Sequence, residues 1–264
     1  MMRPLFTFIL LVALLSAAAG AQEPRLPLDH VKIDLGDRVA LQRGARYFTN
    51  YCLSCHELKY VRYQQLEPGL GLTDKEIEDN LMLPGAKIGD RMRVAMPRKD
   101  AKKWFGLAPP DLSDIARIRG IDWLYTYLRG FYRDPKRPFG VNNVVFKNVP
   151  MPDVLWKLQG WQDPVYANIT GPDGRTHKVL NGVKLVKPGS MTPEEFNRTV
   201  KDIVTFLAYV SAPYQPQSHR IGAWVISAVI LFTLLAYMLK RNYWKDIDHD
   251  DDERQERSGD APRH

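Results

Sequence analysis

Cys52, Cys55 and His56 stand together in the stretch YCLSCH, and the chain of 264 residues holds no other cysteine. Three chemistries use residues of this kind at this spacing. A disulfide between Cys52 and Cys55 closes only a tight loop of little structural value, and the βαβ context of a thioredoxin-like redox motif is absent around it. A zinc site built on two thiolates and one imidazole is one ligand short, with no second cysteine pair to complete it. The third is Cys-x-x-Cys-His, the attachment signature of a c-type haem. The two thiols add across the two vinyl groups of the porphyrin, the spacing sets the thioether sulfurs where those vinyls lie, and the adjacent histidine turns its imidazole to the iron. The trio therefore predicts one haem c, held covalently by Cys52 and Cys55, with His56 as the proximal iron ligand.

A second axial ligand is less evident. Set aside Met1 and Met2, and six methionines remain. Met191 opens a helix, Met238 lies in an apolar run, and Met82 and Met92 read as packing residues. Met96 in VAMPRKD and Met151 in VPMPDVL are each followed by proline in a loop-like setting. The long loop around Met151 needs a purpose, which tilts the choice towards it; Met96, His30 and His177 stay open. A thioether is a soft donor that raises the potential relative to two histidines. Six-coordinate iron also leaves no position for oxygen or peroxide, so such a haem transfers electrons.

The elements that must position these residues follow from pattern. Residues 36–50 read as a helix leading into the cysteines, with Asp37 as a cap. LTDKEIEDNLML, 72–83, is a short helix. Pro109-Pro110 break the chain, and Asp111 or Ser113 starts a helix through Ile115, Ile118, Trp123, Leu124, Tyr127 and Leu128, interrupted at Gly120. Residues 133–155, dense in Pro, Gly and Asn, form a long ordered loop around a short extended run. Turn signals at Pro172-Asp173-Gly174 and Asn181-Gly182 place a β-hairpin or an irregular excursion in 160–190. Thr192, Pro193 and Glu195 then make a capping box with proline at the first helical position. Phe196, Val200, Ile203, Val204, Leu207 and Ala208 form the buried stripe of that helix, which ends at Ala212-Pro213.

The ends carry addresses. Arg3, the apolar Leu5–Leu15 and Ala19-Gly20-Ala21 read as a signal peptide over 1–21. Ile221–Leu239 contains nineteen residues without a charge, roughly 28 Å of helix, enough for a bilayer core. Trp224 and Tyr237 lie near its ends, and Lys240, Arg241 and Lys245 follow, which puts the C-terminus in the cytoplasm. The expected order is leader 1–21, exported body 22–219, span 220–239 and acidic tail 240–264. The tail holds six Lys/Arg against eight Asp/Glu, so of the net +7 the body and span carry +8 once Arg3 is removed. A basic exported surface suits acidic partners or anionic lipid, and export argues against nucleic acid. The run DIDHDDDERQER reads as a solvated, disordered end and not a metal site. The 45% hydrophobic and 25% charged fractions are those of a globular protein and exclude a fibrous or wholly disordered chain.

Several stretches resemble one family. LQRGARYFTNYCLSCHELKYVRY (41–63), with Arg43-Gly44 before the signature and Lys59-Tyr60-Val61 after it, APPDLSDIARIRGIDWLYTYLRGF (108–131), FNRTVKDIVTFLAYVSAP (196–213) and HRIGAWV (219–225) are similar to cytochrome c1 of the quinol:cytochrome c oxidoreductase (cytochrome bc1) complex. The resemblance implies a mainly α, cytochrome c-like haem domain with loop and β-hairpin insertions and one C-terminal transmembrane helix. It implies haem c on Cys52 and Cys55, His56 and Met151 as iron ligands, Arg117 beside a propionate as a buried guanidinium, and Pro109 and Pro110 along the haem edge. It further implies a relay, not an enzyme: single electrons pass from a Rieske iron-sulfur protein to a soluble c-type cytochrome, beside cytochrome b, in a dimeric complex of the bacterial inner membrane with the haem domain in the periplasm. Trp123 stands where relatives often have tyrosine, and the basic body departs from the acidic face of mitochondrial relatives. Other readings are a membrane-anchored mono-haem cytochrome feeding another oxidase or reductase, and a haem-based ligand binder.

Overall fold

The computed structural model describes residues 26–94, 96–170 and 175–259. The leader expected over 1–21 lies outside the described residues. The chain divides into a body that ends at Ser211 and a C-terminal segment that begins at Ala212.

Two helices make the centre of the body. Helix α1, Arg38–Tyr51, begins where the Asp37 carboxylate accepts from the Ala40 amide at 3.0 Å, satisfying an end donor as the residue pattern requires. Leu41, Ala45 and Phe48 fall on one buried stripe at helical spacing. They meet Val200, Ile203, Val204, Phe206 and Leu207 of the long helix Pro193–Ser211, which bears the expected capping box: the Thr192 amide donates to Glu195 and the Glu195 amide to the Thr192 hydroxyl. Each side chain so buried contributes about 1.5–3 kcal/mol. Gly44 is where the two helices touch, since a Cβ there would run into the carbonyl of Asp202. One residue earlier, Arg43 grips the Asp202 carboxylate with both arms of its fork, at 2.6 and 3.0 Å. The Arg43-Gly44 pair thus fixes the approach and the register of the helix pair.

Between these helices the chain makes small elements. Strand β1, Leu58–Arg62, pairs antiparallel with β2, Arg91–Met92. A 3₁₀ turn (Tyr63–Leu66), α2 (Glu67–Leu70) and α3 (Asp74–Leu81) lie between them, α3 opening on a Thr73/Glu76 capping box. Helix α4 is Arg98–Phe105; α5, Ile115–Arg119, and α6, Ile121–Arg129, break at Gly120, whose φ of 86° suits glycine. The expected interruption is there, but the expected cap is not. Asp114 precedes α5 without a side-chain cap, because Asp111 and Ser113 are engaged elsewhere.

Strand β3, Phe131–Arg133, leads into the loop of 133–155 and pairs with the extended run inside it, β4, Val141–Asn143. After α7, Trp156–Gln159, a single long hairpin follows, β5 (Gly160–Thr170) against β6 (Thr176–Pro188), with register shifts at Trp161/Gln162 and Val165/Tyr166. The helix of Pro193–Ser211 is α8.

The C-terminal segment is one helix, α9, Gln215–Gly259. Within it Ile221–Trp244 is long and apolar enough to cross a membrane, with a mean hydropathy of 2.2 and none of it buried within the chain. The expectation of a disordered end for the acidic run is corrected here. Helix continues through it, since neither glycine nor proline interrupts the chain between Lys240 and Ser258.

Candidate functional site

The signature lies where α1 runs out. The amide of Cys52 still bonds Phe48 in the helical pattern, and the amides of Cys55 and His56 both reach the Cys52 carbonyl, at 3.0 and 2.8 Å. One turn therefore carries all three residues. Both cysteines are free thiols, Cys52 buried and Cys55 half-buried. Burial pushes the Cys52 thiol up to about 12, so it stays protonated near neutrality.

His56 is buried, and its Nδ1 lies 2.8 Å from the carbonyl oxygen of Pro110. A carbonyl only accepts, so Nδ1 carries the proton and Nε2 keeps its lone pair. Burial also lowers the imidazole's pKa and favours that neutral form. The Pro110 carbonyl is held in place by a zipper between the two segments. The Leu112 amide donates to Glu57 at 2.9 Å, the Lys59 amide to Asp111 at 3.2 Å and the Tyr60 amide to the Ser113 hydroxyl at 3.2 Å. Ser113 in turn donates to Asp111 at 2.7 Å, and its carbonyl accepts from Ser211 of α8.

Met151 lies against α6. Its sulfur accepts from the Tyr127 hydroxyl at 3.2 Å. The Tyr127 ring stacks on Trp123 at 4.8 Å and meets Phe131 edge-on at 5.3 Å. Tyr127 packs against both apolar clusters of the body, the main one containing Cys52 and a smaller one of Phe131, Val141 and Val149 that also receives Met151. The loop bearing Met151 is ordered by two buried asparagines. Asn143 donates to the Tyr127 carbonyl at 2.8 Å and accepts from the Val145 amide; Asn142 accepts from the amides of Asn143 and Asn148. Asn148 takes a φ of 64°, a conformation asparagine tolerates better than most residues. Two residues beyond Met151, burial raises the Asp153 carboxyl to about 6 despite amide donors from Leu155 and Trp156.

The structure thus gathers Cys52, Cys55, His56 and Pro110 on one side and sets Met151 on the aromatic face of α6. Met96 is a half-buried loop residue between β2 and α4, while Met92 is fully buried opposite Leu58 and Met191 accepts from Thr199. His30 is engaged by Asp122 at 2.9 Å. Arg117, expected as a buried guanidinium, is exposed on α5. Its neighbour Arg119 lies over Trp123, 5.0 Å from the ring centre, and so adjoins the stack that ends at Met151. Among the described residues no cluster of three or more His, Cys, Asp or Glu side chains is placed to hold a bare metal ion. Asp111, Ser113 and Tyr127 had only helical roles in the sequence reading, which passed over Asn143. Their signals were an aromatic i, i+4 pair on α6, a doubled asparagine, and an Asp-x-Ser turn after two prolines.

The sequence model of the Cytochrome C1 family matches residues 32–247. A cytochrome c1 of Allochromatium vinosum is 45% identical over 243 residues, covering 92% of this chain and 98% of the relative. The ammonia monooxygenase gamma subunit of Nitrosomonas europaea is 41% identical over 243 residues, 91% of this chain and 97% of that one. The mitochondrial cytochrome c1 haem protein of Schizosaccharomyces pombe is 26% identical over 232 residues, 80% and 68% of the two chains.

Proposed function

The chain belongs to the cytochrome c1 family, whose members carry one covalently bound haem c, and on that premise we propose that it is the haem subunit of a quinol:cytochrome c oxidoreductase complex. In this reading it relays single electrons from a Rieske iron-sulfur protein to a soluble c-type cytochrome. The observation that carries it is the ring of His56: Nδ1 is committed to the Pro110 carbonyl, so Nε2 is presented neutral and oriented, the state an iron ligand needs.

The other residues fit the group. Cys52 and Cys55, free and on one turn with His56, would hold it through two thioethers. Met151, with a thioether already directed by Tyr127, would be the distal ligand. Bound there, the haem supplies an iron that takes up and releases one electron. His56 sets the ring plane through Pro110, which also lines the edge of the site. The soft sulfur of Met151 favours the reduced state, and two protein donors leave no room for a small ligand. That makes the chain a relay, with quinol chemistry left to cytochrome b and the iron-sulfur subunit of a dimeric complex. Arg117, from its exposed place on α5, would face a propionate from outside.

In the same reading residues 1–21 are a leader, 22–219 the periplasmic haem domain, 220–239 the span in a bacterial inner membrane and 240–264 the cytoplasmic tail. Lys240, Arg241 and Lys245 set that orientation. The name of the Nitrosomonas relative points to a monooxygenase as a second host complex. Co-purification from membranes separates the two: cytochrome b and a Rieske protein are expected with the chain, and monooxygenase subunits in their place would overturn the assignment. Met151→Ala is expected to abolish the sulfur-to-iron charge-transfer band and lower the midpoint potential sharply with haem still attached, while Met96→Ala does neither. The reverse pattern would move the distal ligand to Met96.

A further inference from the structure

Between Arg91 and Leu107 the body carries six cations, Arg91, Arg93, Arg98, Lys99, Lys102 and Lys103, against the single carboxylate of Asp100. All six are exposed, and none of them takes part in an ion pair among the described residues. Four of the six sit on α4, where Lys102 and Lys103 suit the last turn but Arg98 and Lys99 do not suit the first. Arg98 and Lys99 face the positive end of its dipole, and the pairs Arg98/Lys102 and Lys99/Lys103 place like charges four residues apart. The helix is also thinly attached: Ala101 is its one buried residue, and the Phe105 ring adds a contact to Phe139. At its end Trp104 and Leu107 stand 60% and 57% exposed. A basic strip ending in exposed apolar side chains has the makeup of a docking face, in which charge and apolar contact lie side by side.

Its position says what docks. Leu107 is three residues before Pro110, whose carbonyl holds the ring of His56. A protein seated on Trp104 and Leu107 therefore lies within a few residues of the segment that orients the proximal ligand. We propose that the strip from Arg91 to Leu107 is the docking face for the electron acceptor, and that this acceptor is a soluble redox protein with an acidic face. The inference rests on the relay reading above and adds the polarity of the partner. Opposite charge steers encounter, while Trp104 and Leu107 supply the short-lived apolar contact that a rapid exchange of partners allows.

The test uses the assembled complex in membranes, with two soluble c-type cytochromes as probes, one acidic and one basic, and a Lys99→Glu/Lys102→Glu/Lys103→Glu variant. Reduction of the haem by quinol is followed separately. The wild type is expected to reduce the acidic probe faster, at a rate that falls as salt rises; the variant loses on the order of tenfold at low salt and most of the salt dependence. Haem content and haem reduction by quinol stay unchanged in it. A preference for the basic probe, or an unaltered salt dependence in the variant, would overturn the proposal. So would a variant that loses binding to anionic lipid vesicles while its acceptor kinetics stay the same, since the strip would then face a membrane. Failure of quinol to reduce the wild-type haem would strike the relay reading and not the docking face.

Discussion

The two halves of the proposed haem site are held by different means. On the proximal side the backbone does most of the holding: amides of Cys55 and His56 on the Cys52 carbonyl, Leu112 on Glu57, and the Pro110 carbonyl on the imidazole. On the distal side side chains do it, with Asn142, Asn143 and Tyr127 reaching across six to 24 residues to order the Met151 loop. Backbone braces survive most substitutions, because every residue type except proline supplies the amide donor. Side-chain braces do not, so the distal half is where the properties of the site are open to tuning by single changes.

The sharpest way to probe that contrast is Asp153, a carboxyl buried beside the distal loop. Its folded value of about 6 stands above the ordinary 3.8, so the fold favours the neutral acid. The stability this provides is full below pH about 4 and is lost as pH rises through about 6, a change of roughly 3 kcal/mol. Asp153→Asn keeps the acceptor for the Leu155 amide and removes the charge. It is expected to unfold later than the wild type at pH 7 and to show no advantage at pH 4, which thermal unfolding at the two pH values checks.

A paired comparison comes next. Asn143→Ala leaves the Tyr127 carbonyl and the Val145 amide without their partner in a buried place and costs about 2–3 kcal/mol. It also weakens the sulfur-to-iron band. Asp111→Ala, its proximal counterpart, removes three hydrogen bonds at a half-buried edge that water can reach and costs about 1 kcal/mol. The midpoint potential is expected to stay put, because the Pro110 carbonyl still holds His56. Equal effects of the two on potential would break the contrast between the halves. The smallest effect belongs to Tyr127→Phe. It keeps the stack on Trp123 and deletes the hydrogen bond to the Met151 sulfur, which, as the proposed distal ligand, would become a better donor to oxidised iron. A small fall in potential, measured by redox titration, with the band retained, is the expected result.

The same contrast explains what could be read from residues alone. The proximal trio, the Asp37 cap and the Thr192/Glu195 box act over one to four residues, so spacing reveals them. Arg43-Gly44 was legible as a resemblance, but its cause is a helix 159 residues away that Arg43 grips at Asp202. Met151 could not be separated from Met96 by spacing, because what orders its loop is a pair of asparagines, Asn143 answering to Tyr127 and Asn142 to Asn148. Asp111 and Ser113 read as helix caps since capping is the commonest use of such residues before an apolar run. Here the amides of Lys59 and Tyr60 claimed them first.

The unbroken helix α9 also works as a ruler. Its 45 residues amount to about 68 Å, of which the 24 from Ile221 to Trp244 take up about 36 Å. With that stretch in a bilayer, the run beyond it reaches about 20 Å out at its end, Gly259. That is twice the distance over which physiological salt lets charges feel one another. The acidic run therefore spans two regimes: Asp246 and Asp248 stand within a screening length of the lipid headgroups, while Glu256, about 18 Å out, is addressed to whatever approaches from the water.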